Sequence, residues 1–513
     1  TGSAARNAAM GFEALLSNTT GSDLAVLGHS ALKNNTTGSS NVAIGSSSML
    51  CNVSGQLNVA VGTSTLKLNT TGCAQTAIGV NSLCSNTTGI NNVAIGHNSL
   101  RCNVSGSCNV GIGYMALCCN ASDCNTGIGF QVLQANTTGV CNVAVGVRAL
   151  KSNVCGNRNV AIGVRALEDN TSGGCNVSVG HEALTNNTTG SNNVAVGHDS
   201  LKANTIGTCN TALGSYSLRS NTTGVENFAL GYNSLCTNTI GRFNVAIGGN
   251  SMRLNTTGEG NIAIGRVSLE KNTTGKSNVA IGYESLCSNT IARFNTAVGY
   301  QTLSANTTGE YNVGIGYKSL FSNTTGQYNV SVGNNSLQLN TTGSYNVSIG
   351  GYNLTANTTG IENVAVGYQA LKSNTIGIDN VSLGFRSLCG NTTGNNNVAI
   401  GNESLSQNST GIDNVAIGWN SLVKNTTAQQ NTAVGTMALA CNTVGCDNVA
   451  IGSRAMCANT TGNLNTAVGE RSMQYNTTGY ENTVIGRGAL GANTEGFRNT
   501  VGASIEDLNK TYT

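Results

Sequence analysis

Eighteen cysteines, four histidines and a dense series of Asn-Thr-Thr tripeptides are the chemically capable residues of this 513-residue chain. Cysteine offers disulfide formation or metal ligation, histidine offers acid–base chemistry or metal ligation, and Asn-x-Thr offers an acceptor for N-glycosylation. Spacing decides among these. No Cys-x-x-Cys pair or Cys–His cluster with metal-ligand spacing occurs, so no metal or cofactor is expected. No Ser-His-Asp set, phosphate-cradling loop or recurring carboxylate pair emerges either. No catalytic residue is assigned, and a non-enzyme is expected.

The elements that carry these residues follow one rule. Asparagine returns every 17 residues within the sentence N-T-T-G-x-x-N-V-A-I-G-x-x-S-L-x-x. Asn18, Asn35, Asn52, Asn69, Asn86, Asn103 and Asn120 open the first units; after one unit short by a residue, Asn136 restarts a count that runs to Asn493. A period this short leaves room for one supersecondary unit per repeat, so the fold is a stack of coils and not a globule. Numbered from the first Asn, positions 7 to 11, as in Asn41-Val42-Ala43-Ile44-Gly45, alternate with the period of a strand. This reading places Val at 8 and Ile at 10 on one side, joined by Leu or Met at 15 (Leu66, Leu83, Leu100, Met252) in a thin core. The small residue at 9 (Ala43, Ala60, Gly111, Ser178, Ser331) then forms an opposite flat face, free to pack on another chain. Glycine at 11, and usually at 4, marks corners expected to need positive φ. Proline, which would remove an N–H from the inter-coil ladder, is absent.

The fold expected is therefore an all-β parallel β-solenoid of about 29 coils, about 140 Å long at the usual strand spacing. Residues 1–17 read as a partial N-terminal coil, 18–502 as the solenoid and 503–513 as a C-terminal cap or transition segment. Charged residues make up only 9% of the chain and the net charge is +3. No basic stripe exists, so nucleic acid is not an expected partner. No apolar run is long enough to span a bilayer, so direct membrane insertion is not expected.

On this lattice the cysteines fall almost entirely at positions 5, 6, 16 and 17. Cys102 and Cys119 share a position in adjacent coils, as do Cys108, Cys124 and Cys141. Stacked Cα atoms roughly 4.8 Å apart lie within disulfide range. A second spacing joins Cys73 with Cys84, Cys108 with Cys119 and Cys446 with Cys457, and Cys441 with Cys446 straddles one turn. Disulfides within or between chains are expected, which implies an oxidising exterior; the alternative is that Cys fills small half-buried slots. All four histidines, His29, His97, His181 and His198, sit at position 12; His181 and His198, stacked in neighbouring coils, would suit a metal clip, but a tolerant exposed position is the preferred reading, since 12 also accepts Ser, Asn and Arg. Position 12 also carries Tyr283, Tyr300, Tyr317 and Trp419, while position 6 carries Tyr311, Tyr328 and Tyr345. These rows read as a packing seam or as a strip for binding sugars. Asn at 1 and 7 should stack as amide ladders, although Asn18, Asn86 and Asn357 also match the glycosylation acceptor.

The N-V-A-I-G strand followed by a small residue and a turn, as in Asn142–Gly146 and Asn397–Gly401, resembles the head repeat of YadA-like trimeric autotransporter adhesins and related fibre proteins of phages and large viruses. The likeness runs along nearly the whole chain. It implies a left-handed parallel β-roll, association of three chains through one face, and a head that binds host surfaces. The familiar repeat is shorter, near 14 residues, so the Asn-Thr-Thr-Gly turn is an elaboration, and neither a coiled-coil stalk nor a membrane barrel is present in the sequence given.

The function expected is a structural fibre: a rigid, disulfide-reinforced homotrimeric shaft, or the subunit of an end-to-end filament, displayed outside a cell or on a virion. The alternative is an adhesin head that binds host glycans or proteins through its variable positions. Ice binding through the Thr rows at positions 2 and 3 is a third reading, weakened where Ile206, Ile240, Ile291 and Val444 break the row.

Overall fold

Alternation over only a few residues gives the backbone one short strand per coil before glycine turns it. The computed structural model describes residues 6–502; among them are thirty strands, from Ala8–Met10 to Thr500–Val501, and no helix. The chain falls into two compact units, Thr1–Glu259 and Gly260–Thr513. The first carries strands from Ala8–Met10 to Val245–Ile247, the second from Ile262–Ile264 to Thr500–Val501. Within each unit every strand pairs in parallel with its counterpart one coil on. The register does not slip: Val42, Ala43 and Ile44 face Val59, Ala60 and Val61 in the first unit, and Val313, Gly314 and Ile315 face Val330, Ser331 and Val332 in the second. The protein is a parallel β-solenoid of about 29 turns with a 17-residue repeat. Residues 1–5 of the expected partial coil and the expected cap at 503–513 lie outside the described residues.

The sidedness of the strand corrects the expectation. Position 9 points into the coil, where Ala43, Ala60, Ala161, Ala280 and Ala416 are fully buried. Positions 8 and 10 point out: Val143, Ile162, Ile315 and Ile451 keep about two fifths of their surface exposed, at 38%, 42%, 40% and 41%. Ala at 9 is therefore no docking face, and Val and Ile do not fill the core. The cause is width. The coil interior already holds Leu at 15, Ser or Ala at 14 and the Asn side chains of positions 1 and 7, all buried. A Cβ built on Gly111 would come within 2.7 Å of Ser99 Oγ and 3.2 Å of Leu100 Cγ, so position 9 favours small residues, with Val admitted at Val26 and Val484.

A small interior filled with amides survives because the amides pair along the ladder, with a break at Asn103, whose Oδ1 has no partner where the Asn120 amide turns to Ser122 O. Asn52 Nδ2 donates to Asn35 Oδ1 at 2.7 Å and to Gly55 O at 3.1 Å. At position 7, the Asn58 N–H donates to Asn41 Oδ1 at 2.9 Å while its Nδ2 donates to Gly72 O at 3.0 Å. Buried serines join in, as where Ser99 Oγ donates to Gly111 O at 2.7 Å. The expected amide ladders exist, and a satisfied polar network of this kind specifies a single register.

The corners depart from expectation in one respect. Glycine at 11 does adopt positive φ, as at Gly62 (136°) and Gly316 (126°). Glycine at 4 is not among the positive-φ residues; it is small because a Cβ on Gly55 would meet Gly72 O at 2.4 Å and Asn52 Oδ1 at 2.5 Å. Apart from Gly260 and Gly488, both at 64°, the other left-handed residues are non-glycine, at positions 6, 13 and 15, as in Leu57 (58°), Ser64 (56°) and Leu66 (49°). Inter-coil hydrogen bonds over-determine these conformations, which L-residues otherwise adopt at some cost.

Candidate functional site

With the interior the same in coil after coil, chemistry falls to the outward positions, and these form axial rows because each residue sits over its counterpart one coil away. Position 10 carries Val, Ile or Leu in coil after coil, as at Ile162 and Ile315, and gives each unit an outward apolar row, whereas the Val row of position 8 is interrupted by Thr76, Thr126 and Thr211 in the first unit and by Thr296, Thr432 and Thr466 in the second. Single exposed apolar side chains are ordinary, whereas a long row of them along a sheet is not.

The longest runs of stacked Phe and Tyr lie in the second unit, while the first carries His97, Tyr114 and Phe130 with centroids 5.6 and 5.3 Å apart. Phe294, Tyr311, Tyr328 and Tyr345 stack at position 6 with ring centroids 5.0, 4.8 and 5.2 Å apart and interplanar angles of 19°, 3° and 3°. Tyr283, Tyr300 and Tyr317 do the same at position 12, at 5.4 Å in each step. These separations match the strand spacing, so the lattice imposes the near-parallel stack. Within a row the ring faces are spent on each other. The rows thus form a stacked seam more than a sugar platform. Trp419 is 50% exposed further along the position 12 row. Beside Phe294 a groove of about 390 Å3 is lined by Thr274, Lys276, Ile291, Arg293 and Glu310, with Arg293 Nε donating to Glu310 at 2.9 Å.

All eighteen cysteines carry free thiols. Cys108, Cys124 and Cys141 form an exposed row at position 6, and the Cys124 and Cys141 thiols are hydrogen-bonding neighbours. Cys102 has Cys119 on its row and also Cys118, whose carbonyl accepts the Cys102 N–H at 2.9 Å. Cys441 and Cys457 repeat that 16-residue offset, N to O at 3.0 Å. This spacing was not read from the sequence; it follows from the stagger between positions 17 and 16 of successive coils. The within-coil spacing brings no such neighbours: Cys73 Sγ donates to Thr71 O at 3.3 Å, whereas Cys84 lies beside Lys67, Arg101 and Cys102. Cys446 likewise donates to Val444 O, at 3.4 Å, away from Cys441 and Cys457. Burial pushes the Cys118 and Cys287 thiols up to about 11, which keeps them protonated and unreactive at neutral pH.

Asn86 and Asn357 are fully buried. Their Nδ2 groups donate along the ladder, to Asn69 Oδ1 at 2.9 Å and Asn340 Oδ1 at 2.8 Å. The folded chain therefore has no room for a glycan at either residue, which corrects the acceptor reading there. Asn18 is half-buried and uses the same bonds, with Gly21 O at 3.0 Å and the Asn35 amide at 2.9 Å. The Thr hydroxyls of position 2 are also engaged, Thr70 Oγ1 donating to Thr87 O at 3.0 Å.

One row was not anticipated. At positions 13 and 16 of the first unit, Arg148 reaches Glu168 at 2.6 Å, Arg165 reaches the same carboxylate at 2.6 Å and then Glu182. Lys202 bridges Glu182 and Asp199, and Arg219 lies 3.5 Å from Asp199. The Glu168 side chain is only 3% exposed. The signal available in sequence was alternation of sign between these two positions in successive coils.

His29 and His97 stack on Phe12 and Tyr114, with centroids 5.5 and 5.6 Å apart. His181 and His198 stack on each other at 5.1 Å. Among the described residues no helix is long and apolar enough to cross a membrane. Comparison of the sequence with known protein-family profiles and with characterised proteins finds no match.

Proposed function

We propose that the protein is a non-enzymatic structural fibre component, displayed outside a cell or on a virion, whose solenoid associates with two further copies of itself. The observation that carries this reading is the outward row of Val, Ile and Leu at position 10, with Ile162 42% and Ile315 40% exposed. A second copy presents the same row at the same spacing, so two faces mesh along their length, and three flat faces close around an axis. The resemblance to adhesin head repeats supports the same trimer. The stacked thiols suit an oxidising exterior: Cys124 with Cys141, and Cys102 with Cys119, are placed to form disulfides that reinforce the shaft.

Light scattering on the purified chain tests the assembly. A trimer is expected, and Ile281→Lys with Ile315→Lys should release monomers that keep the β signature in circular dichroism. A monomeric wild-type chain overturns the trimer. Non-reducing peptide mapping after mild oxidation should recover the Cys124–Cys141 peptide pair.

A second reading, adhesion to a host glycan or protein, rests on the second unit alone. There the groove beside Phe294 places Arg293 and Glu310 next to a row of phenol rings that ends at Tyr345, 55% exposed. A glycan array probed with wild type and Tyr345→Ala decides it: signal that falls with the variant supports adhesion, and an array with no signal removes glycans as the partner.

A further inference from the structure

We propose that His181, His198 and Asp199 form a binding site for one divalent transition-metal ion of the zinc, nickel or copper class, independent of the assembly above. The ligand atoms of the three residues lie within 4.8 Å of one another. The imidazoles come from position 12 of successive coils and are parallel to within 6°. Asp199 Oδ1 lies 3.8 Å from His198 Nδ1. Two imidazole nitrogens and one carboxylate oxygen are a donor set that borderline divalent ions take, with the remaining positions left to water.

The carboxylate is held as a metal ligand needs to be. Its side chain is 5% exposed, and Arg219 Nε faces Oδ2 at 3.5 Å, which leaves Oδ1 turned toward His198. Lys202 also approaches Oδ1, at 3.3 Å. Its shorter contact is to Glu182, so Lys202 keeps a partner when the metal takes Oδ1. Outer hydrogen bonds of this kind orient a ligating carboxylate. The imidazoles supply the adjustment. Donors around one ion at about 2.1 Å sit roughly 3 Å apart, and both rings are solvent-exposed, free to turn about their side-chain torsions and close that gap. Lys202 and Arg219 oppose a dication, while Glu182 offsets them; an affinity in the micromolar range is expected. The other two histidines stack on Phe12 and Tyr114, rings that supply no ligand.

The test uses the intact chain with its exposed thiols alkylated by iodoacetamide, so that sulfur does not compete. Zinc chloride is titrated by calorimetry while imidazole nitrogen resonances are followed by NMR. A single equivalent should bind and move the signals of His181 and His198, leaving His29 and His97 in place. His181→Asn, His198→Asn and Asp199→Asn should each weaken binding about tenfold or more. These variants preserve the fold, because Asn already occupies position 12 at Asn334 and Asn402 and position 13 at Asn81. Equal movement of all four histidines, unchanged affinity in the variants, or no binding below millimolar zinc overturns the site.

Discussion

The stretch from Arg148 to Arg219 and the stretch from Tyr283 to Tyr345 are built on the same coil, yet neighbours are tied together by different forces. In the first, alternating charges climb through Glu168, Glu182 and Asp199. In the second, phenol rings stack at 4.8 to 5.4 Å. Neither changes the interior, where the Asn ladder and the buried Leu continue unaltered. The comparison separates two jobs. Inward positions decide that a coil forms; outward rows decide how firmly it holds its neighbour and under which solution conditions.

The shared part should be the most fragile. Gly163→Ala and Gly316→Ala, one in each unit, place a Cβ 2.3 Å from Gly180 O and 2.5 Å from Gly333 O at φ values of 137° and 126°. Each should cost about 4 kcal/mol or more in chemical denaturation, equally in the two units. A clear inequality would mean that the interiors differ after all. Next in size is Arg148→Met combined with Arg165→Met, which strands the buried Glu168 carboxylate and should cost about 3 kcal/mol. Tyr328→Ala, which loses two ring stacks, should cost about 1–3 kcal/mol; position 6 already accepts Ala74 at φ 56°.

Solution conditions sharpen the contrast further. Raising ionic strength from about 0.1 to 1 M shrinks the screening length from about 10 to 3 Å. Hydrogen exchange in residues 148–219 should quicken, while residues 294–345 stay as they were. Acid should act with opposite signs. The hydrogen bond from Lys202 holds the Glu182 carboxyl below its ordinary value. Its contribution is present above the unfolded value and is lost as pH falls through the lowered folded value. Glu362 is shifted the other way, raised by its shared hydrogen bond with Asp379. Its stabilisation is full below the unfolded value and is lost as pH rises through the raised one. Exchange between pH 6 and about 3 should therefore speed up around Glu182 and slow down around Glu362. The same sign at both sites would refute the pairing assignments.

How much of this the sequence discloses follows from what each feature depends on. The period, the strand at 7 to 11, the glycine corner and the Asn ladder are local or repeat every coil, so Asn35, Val42 and Gly45 display them in writing. The face that points inward is not local. Alternation defines two sides, but the choice between Ala43 and the pair Val42 and Ile44 is made by the space left beside Leu66 and Asn58, which only the closed coil reveals. The same limit hid the Cys102–Cys118 offset and the left-handed Leu66. Of the variable positions, the aromatic and thiol rows were visible as columns of like residues. The charge row was not, because its members alternate between two columns.

The sixteen-residue coil opened by Asn120 shows what the lattice tolerates. Ser122 stands near the missing corner, its hydroxyl donating to Gly139 O at 2.6 Å. The next strand still enters in step, with Thr126 opposite Val110. A coil can thus lose a residue while those beyond it keep their seats. More generally, a coil inserted into a unit creates an edge identical to the one it covers, so the energy per coil is indifferent to how many there are. Reach can then be inherited as a simple tally, lengthened or trimmed by copying whole sentences of the gene, with no rewriting of any contact elsewhere.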